Sequence, residues 1–215
     1  MNMEQLREDI KRFTGDGSRY LHTLGVEREC ACLAELFSFP EEEKRELCIA
    51  ALLHDITKQK TQDEQKALYE KYRVPYGAEE ENSPKILHAV TGAYVARDAY
   101  PSVVTDRIFR AIRLHTAGAP DMTLFDKLLY LADYIEPGRT YEDCVELRRF
   151  FHDGVEALRT DTGGLPADAL MRLLDQTILT SFRYTLQDLL KHQSYVYLPT
   201  VAARNAFLLL VQGEM

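Results

Sequence analysis

Apolar residues recur along this chain at three- and four-residue intervals, the repeat of an amphipathic helix rather than of a strand. Leu6, Ile10 and Phe13 form one stripe over 3–13, and Leu21, Leu24, Leu33, Leu36 and Phe37 continue the pattern over 19–38. Leu124, Leu128, Leu131 and Ile135 line one face of 123–136, with Asp126, Tyr130 and Asp133 on another. Further helices are predicted from Pro40 to His54-Asp55, from Pro84 onward, and over 103–115, 141–159, 166–193 and 200–211. Glycine and proline punctuate them at Gly15 and Gly17, Gly118 and Pro120, Pro137-Gly138, Gly163-Gly164 and Pro199. The stretch 61–72 is highly charged and leads into a loop from Gly77 to Ser83, so it reads as a lid or a connector. Only 194–198 carries a brief strand signal. The pattern predicts an all-α protein.

One segment departs from the amphipathic rule. Ile49-Ala50-Ala51-Leu52-Leu53 is apolar on every side and therefore buried, and it ends in His54-Asp55. A buried carboxylate is costly unless it is paired, hydrogen-bonded or bound to a metal. Glu41-Glu42-Glu43 stand at the favourable N-terminal end of this predicted helix, whereas Asp55 stands at the unfavourable end. Asp55 therefore calls for a cation nearby, either an internal ion-pair partner or a metal.

Composition narrows the class. A chain of 215 residues with 46% hydrophobic and 28% charged residues can bury a substantial core. The net charge of −8 argues against broad binding to nucleic acid or to an acidic membrane, but not against a small anionic substrate. Cys30, Cys32, Cys48 and Cys144 form no zinc-type pair. With no signal peptide apparent, reduced thiols in a cytoplasmic protein are expected. No apolar run is long enough for a membrane span. The two glycines of Thr14–Ser18 lack any phosphate-loop spacing and read as a turn.

The polar residues carried by apolar helices are His22, His54-Asp55, His88, His115 and Asp133, each from a different helical segment. Ligand sites inside helix bundles are built this way. Imidazole and carboxylate donors suit iron, manganese or cobalt, and the lack of a thiolate argues against structural zinc. His22, His54, Asp55 and Asp133 would make one mixed nitrogen and oxygen site. His88 and His115 would serve a second metal bridged by Asp55, or bind substrate phosphate; for each histidine an ordinary core position is the alternative. Gly92, four residues after His88, would permit close backbone approach. Asp126 is expected either to orient a ligand or to lie in solvent. His152 and His192 lack comparable context and read as structural.

The order His22, His54-Asp55, Asp133 resembles the HD-domain metal-dependent phosphohydrolases. The surrounding segments narrow the likeness: Arg19-Tyr20-Leu21-His22-Thr23-Leu24-Gly25-Val26, Leu52-Leu53-His54-Asp55-Ile56-Thr57-Lys58, Ile86-Leu87-His88-Ala89-Val90-Thr91-Gly92-Ala93, Arg113-Leu114-His115-Thr116-Ala117-Gly118 and Leu131-Ala132-Asp133-Tyr134-Ile135-Glu136-Pro137-Gly138-Arg139. Together they resemble the YqeK-like branch, the HD-type symmetrical diadenosine tetraphosphate hydrolases. The likeness runs from about 16 to 160, Thr200 to Asn205 resembles the branch's C-terminal end, and 160–180 resembles it least.

The resemblance implies an HD helical bundle over 16–140, preceded by an N-terminal helix over 1–15 and followed by C-terminal helices, 141–215, packed on the core. It implies cleavage of bis(5'-nucleosyl) tetraphosphate into two nucleoside diphosphates, two ADP from diadenosine tetraphosphate, by a hydroxide on one or two divalent ions, with iron first. His54, Asp55 and Asp133 would be catalytic, with His22, His54, Asp55 and Asp133 as ligands. Arg19, Lys58, Arg113 and Arg139 would neutralise phosphate charge, arginine being suited to bidentate contacts. The alternatives are an HD phosphohydrolase for another nucleotide and a non-catalytic nucleotide sensor. A cyclic-dinucleotide phosphodiesterase is disfavoured because no Gly-Tyr-Pro follows His54-Asp55. The apolar residues and tyrosines of 184–210 are expected to pack on the core rather than to form a homodimer interface.

Overall fold

Seven consecutive residues of one helix, Leu47 to Leu53, are buried, and the neighbouring elements are arranged to cover them. In the computed structural model, which describes residues 2–159 and 164–213, this helix is α3 (Glu41–Leu53). It packs against α1 (Met3–Thr14), α2 (Ser18–Leu36), α6 (Leu87–Ala99), α7 (Asp106–Leu114) and α8 (Leu124–Ile135). A helix enclosed by five others has no solvent face over its last two turns, which explains its loss of amphipathic patterning. The remaining helices are α4 (Gln62–Lys71), α5 (Ala78–Glu81), α9 (Glu142–Leu158), α10 (Ala167–Lys191) and α11 (Leu198–Gln212). A short 3-10 turn, Pro84–Ile86, precedes α6. The fold is all-α, with no strand among the described residues; 194–197 is a link without regular structure into α11, whose first turn holds Pro199. Gly163 of the Gly163-Gly164 break lies outside the described residues.

Helix starts follow local chemistry. Thr61, Thr105 and Thr123 each cap a helix through the side-chain oxygen, and Thr61 with Glu64 and Thr123 with Asp126 complete capping boxes. The Thr105 cap sets the start of α7 at Asp106, three residues after the periodicity alone places it. Asp126 is neither solvated nor turned toward a ligand. It is 1% exposed, accepts from Thr123 N and Oγ1 at 2.8 Å each, and lies 3.5 Å from Arg110. Its place at the third helical position, where a carboxylate satisfies free amide groups, accounts for the difference.

The charged stretch 61–72 is also more than a solvated connector. It forms α4, with Gln65 and Tyr69 buried, and Tyr69 packs with Ile86 and Leu87 in a small separate cluster. Gln65 donates to Thr57 O at 2.7 Å and accepts from Thr91 Oγ1. Thr57 Oγ1 in turn donates to His88 O at 2.9 Å. This buried network ties α4 and α6 to the turn that follows α3.

One main core runs from Leu6 and Ile10 in α1 to Ala203 and Phe207 in α11. In 184–210, Ala203 and Phe207 are buried, whereas Leu190, Tyr195, Leu198, Leu209 and Leu210 are exposed. All four cysteines are free thiols. No helix among the described residues is long and apolar enough to cross a membrane. The C-terminal helices are fastened to α8 by a buried ion pair, Lys127 Nζ to Asp175 Oδ1 at 2.6 Å, with Lys127 also 5.2 Å from the Phe207 ring centre. Removing one partner strands a buried charge. Lys127→Met is expected to cost about 3 kcal/mol in urea unfolding, and Lys127→Met with Asp175→Leu to recover most of it. An unchanged single variant would show that the pair does not fasten α10.

Candidate metal centre

Helix α3 stops at Leu53, and His54-Asp55 begins the tight coil of 54–59 rather than ending the helix. The coil is closed by Lys58 N to Asp55 O at 2.9 Å and Lys60 N to Thr57 O at 3.1 Å. Gly92 of α6 faces it: an added Cβ would lie 3.2 Å from His54 O and 3.5 Å from Thr57 Oγ1. The small residue thus allows α6, and with it His88, to approach.

His54, Asp55, His88 and His115 are all buried, and His22 and Asp133 nearly so. His22 Nε2 lies 3.0 Å from Asp133 Oδ1 and 3.9 Å from Asp55 Oδ2. His54 Nε2 lies 3.5 Å from Asp55 Oδ2 and 3.6 Å from Asp133 Oδ1. On the other side, Asp55 Oδ1 lies 3.1 Å from His88 Nε2 and 3.5 Å from His115 Nε2. The two oxygens of Asp55 therefore face different imidazole pairs.

Three of the imidazoles share one orientation. His54 Nδ1 donates to Ala51 O at 2.6 Å, His115 Nδ1 to Ile112 O at 2.7 Å, and His22 Nδ1 to the Glu136 carboxylate at 3.0 Å. In each neutral ring the Nε2 lone pair is left pointing inward, the arrangement of a metal-ligating histidine. His22 Nε2, His54 Nε2 and Asp55 Oδ1 are buried without a hydrogen-bond partner. Three sets of donor atoms lie within 4.8 Å of one another: His22, His54 and Asp55; His54, His115 and Asp133; Asp55, His88 and His115. Bonds of about 2.0–2.2 Å to a common ion put donors roughly 3–4.4 Å apart. The residues fit a divalent cation.

The electrostatics agree. Burial by itself would push Asp55 up, but His54, His115, His88 and Lys58 outweigh it and hold the carboxyl well below its usual range. Burial likewise opposes the charge on Asp133, and Arg139, His22 and His54 more than restore it. Both acids are thus ionised at neutral pH. Arg19 donates to Asp55 Oδ2 at 2.8 Å, and Arg139 to Asp133 Oδ1 at 2.6 Å. Burial lowers Lys58, with Asp55 and Asp133 opposing the shift and Arg19 and Arg139 adding to it.

A cleft of about 580 Å³ opens beside the centre, lined by Lys58, Lys60, Lys85, His88, His115, Thr116, Asp133, Tyr134 and Arg139 among others. Arg113 is not among them. It is exposed and lines a different cavity with Arg97, Phe109 and Tyr197, because its helical position points away from that of His115. His152 and His192, both largely exposed, lie apart. The structure adds groups that periodicity does not reveal. Glu136 receives His22, Thr116 Oγ1 is 3.2 Å from His88 Nε2, and Arg148 donates to the main-chain oxygens of Ile135, Glu136 and Arg139 at 2.6–2.8 Å. The signal for Glu136 was its place three residues after Asp133, directly before Pro137-Gly138.

An all-α bundle holding a histidine, a His-Asp pair and a distant aspartate around one point defines a class, and the HD domain family model matches residues 19–138. The chain is 34% identical over 206 residues to a Bacillus subtilis protein named bis(5'-nucleosyl)-tetraphosphatase, symmetrical, covering 95% of this chain and 97% of the relative. A Halalkalibacterium halodurans protein of the same name is 35% identical over 196 residues, with 89% of each chain covered. A crystal structure from Clostridium acetobutylicum, described as a predicted HD superfamily hydrolase involved in NAD metabolism, is similar with a TM-score of 0.78 and 26% identity over 97% of both chains. The chain belongs to the HD-domain family and, within it, to the family of the symmetrical bis(5'-nucleosyl)-tetraphosphatases.

The imidazoles give the metal-free centre a predictable pH response. Burial lowers His88 from its ordinary 6.5 to about 4, against the opposing pull of the Asp55 carboxylate 3.1 Å away. A depressed histidine contributes stability that is present above its unfolded value and lost as pH falls toward the folded one. His22 is shifted upward, so its contribution is present below 6.5 and lost at higher pH. The depressed Asp55 and Asp133 contribute stability that is lost only below 3.8. Between pH 6.5 and 4 the His88 contribution to the metal-free protein is therefore expected to fall by about 3 kcal/mol, read in urea unfolding as the difference between the unaltered chain and His88→Gln. His88→Gln should flatten that window; an equal slope in the variant would contradict the assignment.

Proposed function

We propose that the chain is a metal-dependent hydrolase that splits a bis(5'-nucleosyl) tetraphosphate symmetrically, giving two ADP from diadenosine tetraphosphate. The observation that carries this reading is the juxtaposition of two ionised acids, Asp55 buried and Asp133 nearly so, and four imidazoles with a cation-lined cleft, in a chain similar along nearly its whole length to relatives of that name. His22, His54, Asp55 and Asp133 are the proposed ligands, with iron as the first choice of ion and manganese or cobalt as substitutes. The division of Asp55 between two imidazole pairs supports a second ion held with His88 and His115. A divalent cation bound there supplies Lewis-acid charge and acidifies water to near-neutral pKa.

The chain's own groups would do the rest. Lys58 and Arg139 face the cleft and would take phosphoryl oxygens, Arg139 through its planar fork. Arg19 lies against Asp55 and would balance its charge as an anionic substrate arrives. Asp55 would orient the attacking water against a β-phosphorus, and the bond to the bridging oxygen beyond it would break to release a nucleoside diphosphate on each side. The four free thiols and the nucleotide substrate support a cytoplasmic protein.

Incubation with diadenosine tetraphosphate and Fe²⁺, Mn²⁺ or Co²⁺, followed by product separation, tests the reading. ADP is the expected sole product; ATP with AMP would contradict symmetrical cleavage. Asp55→Ala is expected to lose at least roughly 10³-fold in kcat, the equivalent of several kcal/mol of charge stabilisation. Chelation should abolish activity in the unaltered protein and the added ion restore it. Full activity in the variant would remove the proposed centre whatever the products.

A further inference from the structure

We propose that Glu136 is the positioning residue of the centre: its carboxylate holds His22 in the tautomer and orientation that present Nε2 to the ion, and Gly25 and Gly138 leave room for it. This rests on the reading of His22 as a ligand.

His54 and His115 sit at the ends of α3 and α7, where each ring can fold back to a main-chain carbonyl three residues earlier. His22 lies inside α2, where the carbonyls are engaged in helix bonds. Its Nδ1 must be satisfied by a side chain, and Glu136 provides one. The carboxylate is 3% exposed, with Oε1 3.0 Å from His22 Nδ1 and Oε2 accepting from Gly138 N at 2.6 Å. A carboxylate on the outer nitrogen fixes the proton there and raises the basicity of the inner one.

The space around Glu136 is reserved from two elements. A Cβ at Gly138 would lie 2.9 Å from Glu136 Oε2, and one at Gly25 of α2 would overlap the same oxygen. Neither glycine has a positive φ, so room rather than backbone conformation is what a side chain would deny. Arg148 of α9 holds the turn from outside through the main-chain oxygens of Ile135, Glu136 and Arg139. The carboxylate is thus fixed by a clamp on its backbone and a cradle on its oxygens.

The test is Co²⁺ binding to the metal-free protein, read by equilibrium dialysis and by the visible absorption of the bound ion, in Glu136→Gln and Gly25→Ala. Glutamine removes the charge and turns an amide toward Gly138 N–H. Alanine at 25 introduces no polar group but pushes the buried carboxylate off its partners, so some fall in melting temperature is expected and affinity is compared per folded molecule. Both variants are expected to bind Co²⁺ about 10–100-fold more weakly, with a changed absorption spectrum. Affinity and spectrum unchanged in both would overturn the proposal. So would a lowered melting temperature with unchanged affinity per folded molecule, which would make Glu136 merely structural. If Glu136→Gln does not fold, Gly25→Ala decides. Absence of Co²⁺ binding in the unaltered chain would remove the metal reading and this inference together, whereas unchanged variants remove the inference alone.

Discussion

A carboxylate that keeps its charge at 3% exposure is the constraint on which the rest of this structure depends. An isolated buried charge would be expelled or neutralised by a proton. Asp55 is neither, because Arg19 of α2, His88 of α6, His115 at the end of α7 and Lys58 of its own turn converge on it. No single helix could supply that environment. The charge is tolerated only once four separate segments are assembled, and α3 is apolar on every side because it must carry Asp55 to the place where they meet.

The surrounding polar network keeps those segments in register. Gln65, Thr57 and Thr91 join α4, the coil after α3 and α6, so His88 is held through its own backbone as well as its ring. Arg139 and Arg148 do the same for the end of α8, one binding the Asp133 carboxylate and the other the turn behind it. Such networks rigidify a site when every member is satisfied. Here the unsatisfied buried atoms include His22 Nε2 and His54 Nε2 on one side of Asp55 and its Oδ1 on the other, toward His88 and His115.

The helices were legible in the sequence wherever one face was apolar, and the His54-Asp55 pair stood out because its helix had no polar face at all. His22, His88, His115 and Asp133 could be collected because each interrupts an otherwise apolar stripe, and the structure brings all four within reach of Asp55 or of one another. Arg113 looked equivalent near His115, but positions two apart on a helix diverge by about 200° and it faces another cavity. Asp126 read as either a ligand's companion or a solvated acid because periodicity does not distinguish a capping carboxylate from either. Glu136 was hidden for the opposite reason: it follows the last helical turn, where periodicity ends and only tertiary packing shows which way a side chain points. The charged surface of 61–72 masked the buried side of α4, whose Gln65 contributes through polar contacts that no hydrophobic pattern reports.

These contacts together make an imidazole-rich centre in which two ionised acids, each beside an arginine, meet the inward Nε2 atoms of His22 and His54, the donor set proposed to hold an ion. Crystals of the protein grown with Mn²⁺ and measured by anomalous diffraction test this most directly. The predicted result is an anomalous peak bonded to nitrogen of His22 and His54 and to oxygen of Asp55 and Asp133. A fully occupied ion bound elsewhere, with these four side chains hydrogen-bonded only to one another, would contradict it.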